Sequence, residues 1–182
     1  MAESDFPLIE VLGSERQRIE DELLSAVKTS DEHLTELAQH LIVAGGKRLR
    51  PILTMVARAL GDGTISQDVV RGGVSCELVH LGSLYHDDVM DESPTRRGVE
   101  TVNAKWGNLQ AILAGDFLLA RASEIAASLG TEIAALLAKT IAWLCEGQIE
   151  ELRTTYDPTR TNESYFASVS YTHLTLPTNS GV

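Results

Sequence analysis

Three aspartates, Asp87, Asp88 and Asp91, stand at i, i+1 and i+4, and a proline turn then leads to the pair Arg96-Arg97. On a helix, Asp87 and Asp91 share one face a turn apart. Like charges at that spacing cost about 0.2–0.5 kcal/mol unless something lies between them. Carboxylate oxygens at short reach suit Mg2+, which takes few protein ligands and completes its shell with water and substrate phosphates. The arginines offer planar forks to the same phosphates, and two neighbours in a turn point differently, so the pair predicts two separate anionic groups. The plainer alternative is a solvated acidic helix end beside a surface pair. Against it, Asp87 and Asp88 follow the apolar run 78–84, deep in the helix and far from the N-terminal end that favours carboxylates.

A second cluster, Gly45-Gly46-Lys47-Arg48-Leu49-Arg50-Pro51, also suits an anion. Glycines allow close backbone approach with N–H groups facing a ligand, Lys47 and Arg50 add charge, and a helix opening at Pro51 adds its positive end. Read alone, it is equally a glycine helix stop followed by solvated basic residues. His80 lies two turns before Asp87 on the same face, so it is placed to donate a hydrogen bond into one shared cavity. His86 has no independent case.

The elements that must position these groups are helical throughout. Ser14 with Gln17 reads as a capping box, with Ile19, Leu23 and Val27 on one face of a first helix. Ser30 or Asp31 caps a second, striped by Leu34, Leu37, Ala38, Leu41 and Ile42 and stopped by Gly45-Gly46. Pro51 fits the first turn of a third, reaching about Leu60 before the turn Gly61-Asp62-Gly63. Ser66 caps a long fourth helix through Val74, Leu78, Leu81 and Tyr85, ending near Glu92-Ser93-Pro94. A short element at 101–106 precedes helices over about 108–129 and 131–155. With no sustained alternation of β-branched residues, the fold class is all-α.

The chain has 182 residues, 43% of them hydrophobic and 23% charged, enough for one sizeable core. Its net charge of −11, from 15 basic and 26 acidic residues, argues against a nucleic-acid or anionic-membrane surface. Five of the basic residues nevertheless fall in the two clusters above, which points to a specific small anion. Cys76 and Cys145 sit in apolar helical patterns and are expected to be small buried hydrophobes in a reducing compartment. No basic region followed by an apolar run opens the chain, and no apolar stretch is long enough for a transmembrane segment, so a cytoplasmic location is expected.

Taken together, these residues resemble the trans-isoprenyl diphosphate synthases, or polyprenyl synthetases. That family's GGKRxRP loop corresponds to residues 45–51, its first DDxxD motif to 87–91, and its RRG to Arg96-Arg97-Gly98; Gly115-Asp116-Phe117-Leu118 and Glu146-Gly147-Gln148 are similar to weaker signatures. The resemblance covers about 8–169 and implies a helical bundle of the isoprenoid synthase type. It implies that Asp87 and Asp91 coordinate Mg2+ bridging an allylic diphosphate, with Asp88 as ligand or support and Arg96 on the same diphosphate. Lys47, Arg50, His80 and Arg97, with the Gly46 backbone, would hold isopentenyl diphosphate. Ser83 and Gly82, small residues four and five positions before Asp87, imply a long product.

The resemblance also marks departures. After Val169 the family continues into a Lys-Thr pair, whereas this chain reads Ser170-Tyr171-Thr172-His173, uncharged and Thr-rich to Val182. The second aspartate-rich motif is absent, and position 151 is Glu where the family more often has Gln. Residues 1–169 are therefore expected to be the N-terminal part of a synthase domain truncated there, and 170–182 a non-native tail. The complete enzyme would be a homodimer. The competing readings are a non-catalytic helical subunit of a heteromeric prenyl synthase and, disfavoured by the loop at 45–51, a terpene cyclase.

Overall fold

The computed structural model describes the backbone of residues 7–61 and 63–172, and the side chains of 15–61 and 63–170. Eight helices and one two-stranded ladder occur among the described residues, in the order α1 (Pro7–Ala26), α2 (Glu32–Val43), α3 (Leu49–Leu60), α4 (Gln67–Met90), β1 (Thr95–Arg96), β2 (Val99–Glu100), α5 (Val102–Trp106), α6 (Asn108–Leu129), α7 (Thr131–Arg153) and α8 (Asn162–Thr172). The chain divides into two compact units, Met1–Leu129 and Gly130–Val182.

In the first unit α4 is the central element, packed against α1, α3, α5 and α6. Its start is fixed by Ser66, whose side chain accepts the Val69 N–H. Its burial runs round the helix: beside the stripe Val70, Val74, Leu78, Leu81 and Tyr85, Ser75, Glu77, Val79 and Gly82 are buried too, as expected of an element covered on several sides. Small residues permit that covering. A Cβ added at Gly73 would lie 2.7 Å from the Pro51 Cα, and one at Gly82 would lie 3.0 Å from the Gly115 carbonyl oxygen. α6 presents Ala111, Ala114, Gly115, Leu118, Ala122 and Ile125 as its buried stripe, and Ser75 donates to the Ala122 carbonyl at 2.9 Å. The buried Tyr85 hydroxyl donates to the Leu37 carbonyl at 2.7 Å, joining α4 to α2.

Asp31 caps α2 by accepting the Leu34 N–H, as the sequence predicts. α1 differs from expectation: it begins at Pro7, a residue suited to the first turn of a helix, and runs through 8–13, so Ser14 lies inside the helix instead of capping it. α3 opens at Leu49, two residues ahead of Pro51. Asp62 of the expected turn lies outside the described residues. Cys76 and Cys145 are exposed rather than buried, because an apolar helical pattern does not reveal which of its positions lacks a neighbour.

In the second unit α8 packs on the C-terminal half of α7. Ser168 donates to the Gly147 carbonyl at 3.3 Å and Ser164 to a Glu150 carboxylate oxygen at 3.2 Å. α8 continues through Ser170 and Tyr171 to Thr172, past the expected junction at Val169. Among the described residues no helix is long and apolar enough to cross a membrane.

Candidate active site

The last turn of α4 carries Asp87 and Asp88, and Asp91 forms its C-cap, with its N–H donating to the Asp87 carbonyl at 2.8 Å. Three carboxylates thus stand at the negative end of a helix dipole, where each is disfavoured by about 0.3–1 kcal/mol. Asp91 is exposed, Asp87 partly buried and Asp88 only 2% exposed. Burial holds the Asp87 carboxyl above the usual range; Arg96 opposes that shift, while Asp91 and Asp88 add to it by repulsion.

Asp88 turns inward. The Arg96 Nε donates to its Oδ1 at 2.6 Å, opposing the upward push that burial gives this carboxyl. Arg96, expected on a phosphate, is therefore engaged by Asp88 through one of its nitrogens. Asn103 steadies the same helix end by donating to the carbonyls of Asp88 at 3.1 Å and Ser93 at 3.3 Å.

The hairpin after α4 separates the two arginines. Arg96 pairs with Val99 across it, and the two residues between, Arg97 and Gly98, have φ of 54° and 81°. Positive φ at both central residues is the two-residue turn whose twist matches that of its strands. Arg97 consequently points away from Arg96 and donates to the carbonyls of Leu41, at 3.1 Å, and Gly45.

That contact brings the basic loop alongside. Gly45 ends α2 at φ 88°, and Gly46 is hemmed in by cations: a Cβ there would lie 2.9 Å from an Arg97 nitrogen and 3.0 Å from an Arg48 nitrogen. Arg16 of α1 donates to the Gly46 carbonyl at 3.1 Å. Arg48 is 1% exposed and has φ 52°, a left-handed conformation that costs a non-glycine residue about 1–3 kcal/mol. Its guanidinium forks onto Glu20 of α1 at 2.8 and 2.9 Å, reaches Glu77 of α4 at 3.3 Å and donates to the Ile42 carbonyl at 2.8 Å. Burial works to lower its pKa, but the bonds and charges of Glu20 and Glu77 outweigh it and raise the value.

Of the residues expected on isopentenyl diphosphate, Lys47 is exposed and Arg50 partly buried. Burial lowers the pKa of Arg50 and of Arg97, the latter helped by Arg48. His80 is partly buried, and burial together with Arg50, Arg97, Arg96 and Arg48 depresses it to about 3. It is neutral at neutral pH, able to donate one hydrogen bond and accept another.

The two residues singled out for product length differ. Gly82 is buried against α6, where a Cβ would also lie 3.1 Å from the Leu119 side chain, so close helix packing by itself requires a small residue there. Ser83 is partly buried and donates to the His80 carbonyl at 2.8 Å, within its own helix. The length argument consequently rests on Ser83.

Sequence reasoning missed Glu20, Glu77, Arg16 and Asn103, and counted Arg48 among the charges clustered for a small anion, not as a buried ion-pair partner. Glu77 carried a usable signal, since a carboxylate on an apolar face three residues after Val74 needs a buried cation.

The aspartate end suits a divalent cation. Among the described residues no group of three or more His, Cys, Asp or Glu side chains could hold a metal ion by itself. Two carboxylates one turn apart, electrostatically uncomfortable and open on one side, instead match a cation that keeps water and takes further oxygens from a substrate.

The sequence pattern of the polyprenyl synthetase family matches residues 31–173. The nonaprenyl diphosphate synthase of Mycobacterium tuberculosis is 42% identical over 152 residues, which cover 84% of this chain and 45% of that protein. Heptaprenyl diphosphate synthase component 2 of Geobacillus stearothermophilus is 41% identical over 146 residues, covering 80% and 45%. A polyprenyl synthase of Caulobacter crescentus, solved with calcium and isoprenyl diphosphate, superposes with a TM-score of 0.84 at 30% identity, over 91% of this chain and 50% of that one. The chain thus spans about half the length of the relatives it matches, which include long-chain synthases. With the family pattern over most of its length and the all-helical isoprenoid synthase fold, the chain belongs to the polyprenyl synthetase family.

Proposed function

We propose that the complete protein condenses isopentenyl diphosphate with an allylic diphosphate to make a long-chain polyprenyl diphosphate, with Mg2+ as cofactor, and that this chain is its N-terminal half. One observation carries the reading. A single two-residue turn sends Arg96 to Asp88 and Arg97 to the Gly45 carbonyl, joining the carboxylate end of α4 to the basic loop. A reaction between two diphosphates needs two such anion sites side by side.

Asp87 and Asp91 hold the cation, and Asp88 fixes Arg96 beside it. Bound Mg2+ supplies charge neutralisation for the departing allylic diphosphate. Lys47, Arg50, Arg97 and the Gly46 backbone hold the second diphosphate, with neutral His80 donating into the same cavity. The allylic carbon–oxygen bond breaks and diphosphate departs, the alkene of isopentenyl diphosphate forms the new carbon–carbon bond, and the proton lost from the resulting cation passes to the departed diphosphate. Fixed cations stabilising the leaving group suffice, so no serine or cysteine nucleophile is required. Ser83 leaves room for the growing chain one turn below Asp87.

In this reading the domain continues beyond the present chain with a Lys-Thr pair and a second aspartate motif, and the complete enzyme is a cytoplasmic homodimer. Residues 170–182 are foreign to it, the departure from the family falling at Ser170, although α8 reaches Thr172 and the family match reaches 173. The test is turnover of isopentenyl and farnesyl diphosphates with Mg2+. The 182-residue chain binds both without turnover, and the protein extended by the second motif makes long product. Robust turnover by the short chain contradicts the need for the second half. The likeness to a protein named as component 2 of a synthase favours one alternative, a helical subunit that completes a partner. A genuine stop codon near Val182 would support that alternative.

A further inference from the structure

The diphosphate loop at 45–51 is held from below by a buried charge cluster that its own motif does not contain. Arg48, inside the loop, points away from Lys47 and into the protein, where Glu20, Glu77 and the Ile42 carbonyl take its donors. Glu20 and Glu77 lie on different helices, so the cation ties α1 and α4 to the end of α2. The backbone at Arg48 has positive φ without a glycine, a conformation that persists only where surrounding contacts over-determine it. Arg16, one turn before Glu20 on α1, fixes the Gly46 carbonyl as well. Two α1 side chains thus grip the loop at two points, although α1 contributes nothing to the residues expected on substrate.

We propose that Arg48 and Glu20 are positioning residues: their buried fork sets the loop backbone that presents Lys47 and Arg50 to the diphosphate of isopentenyl diphosphate. The inference rests on the proposed assignment of that diphosphate to the loop. Lysine at 48 would keep the charge but lose the fork, since it offers one ammonium where three nitrogens are engaged. Glu20 is the cleaner probe because its side chain is 25% exposed, so Glu20→Gln leaves no uncompensated deep carboxylate.

The experiment uses the 182-residue chain and two readouts. Amide hydrogen exchange is followed residue by residue in the wild type, Glu20→Gln and Arg48→Lys, and calorimetry measures isopentenyl diphosphate binding without metal. Exchange at 45–48 rises at least tenfold in both variants while the α4 core at 74–85 is unchanged, and affinity falls about tenfold. Adding Lys47→Ala to Glu20→Gln costs less than the sum of the two, because both act through one loop. Unchanged loop exchange, or exchange raised equally along α4, overturns the positioning role. If the wild type does not bind the ligand, the assignment of the loop to isopentenyl diphosphate fails, while the exchange data still decide what Arg48 and Glu20 hold.

Discussion

The two halves of the site are built on opposite principles. Around the basic loop, every contact works to fix geometry: Arg97 and Arg16 hold its carbonyls, Arg48 is clamped by two carboxylates, and glycine occupies the one position where a side chain would strike two guanidiniums. At the end of α4, Asp87 and Asp91 repel one another and sit at the wrong pole of their helix, with Asp88 alone neutralised. Preorganised donors stabilise charge without rearrangement when a ligand arrives. At Asp87 and Asp91, where Arg96 acts only at a distance and its Nε is committed to Asp88, a cation would complete the neutralisation. Under the proposed function, the basic loop would be complete before substrate binds, and the aspartate end would become complete only with metal.

Substitutions that remove charge should accordingly have opposite effects on stability in the two regions. The largest effect is expected from Arg48→Met, which leaves Glu77 buried and without its cation; breaking such a pair costs about 3–5 kcal/mol, read as a lower midpoint in urea unfolding. Arg50→Ala should weaken isopentenyl diphosphate binding ten- to a hundredfold by calorimetry, the loss of a charge-assisted bond of about 1.5–3 kcal/mol. Asp87→Asn should move stability the other way, raising it by about 0.3–1 kcal/mol by removing charge from the helix C-terminus, while abolishing the effect of Mg2+ on the melting temperature. A loss of stability in Asp87→Asn would contradict the contrast.

The last expected effect appears only below neutral pH and is absent at pH 7. Burial and the surrounding arginines depress His80 to about 3 in the folded chain, against an ordinary value near 6.5. The unfolded chain takes up a proton that the folded chain refuses, so this contribution to stability is present above about 6.5 and is lost as pH falls toward about 3. His80→Asn should flatten that limb of the curve of unfolding free energy against pH. An unchanged slope would contradict both the burial and the arginine field that depress His80.

Much of this fold was legible in the sequence because helices announce their ends. Asp31 and Ser66 cap where their side-chain chemistry predicts, and the spans of α4 and α6 follow from apolar periodicity, the proline turn after α4 and the glycine after α6. The candidate site residues were legible as motifs, and the hairpin does aim Arg96 and Arg97 apart as two adjacent turn residues should be aimed. What periodicity does not contain is the partner of a residue. Arg48 reads like its neighbours Lys47 and Arg50, and only packing shows it buried against Glu20, 28 residues away, and Glu77, 29 away. Gly82 reads as open space beneath the aspartates, but packing makes it a contact with α6. The cysteines failed for the same reason, since a stripe shows which face is apolar and not what covers it.

The most direct measurement is calorimetric binding of isopentenyl diphosphate and of farnesyl diphosphate to the 182-residue chain, each with and without Mg2+. A finished basic loop beside an unfinished aspartate site predicts that isopentenyl diphosphate binds equally well without metal and about ten- to a hundredfold more weakly in Arg50→Ala. Farnesyl diphosphate should bind only with Mg2+ and be lost in Asp87→Asn. Metal-dependent binding of isopentenyl diphosphate, or metal-free binding of farnesyl diphosphate that survives Asp87→Asn, would contradict that division.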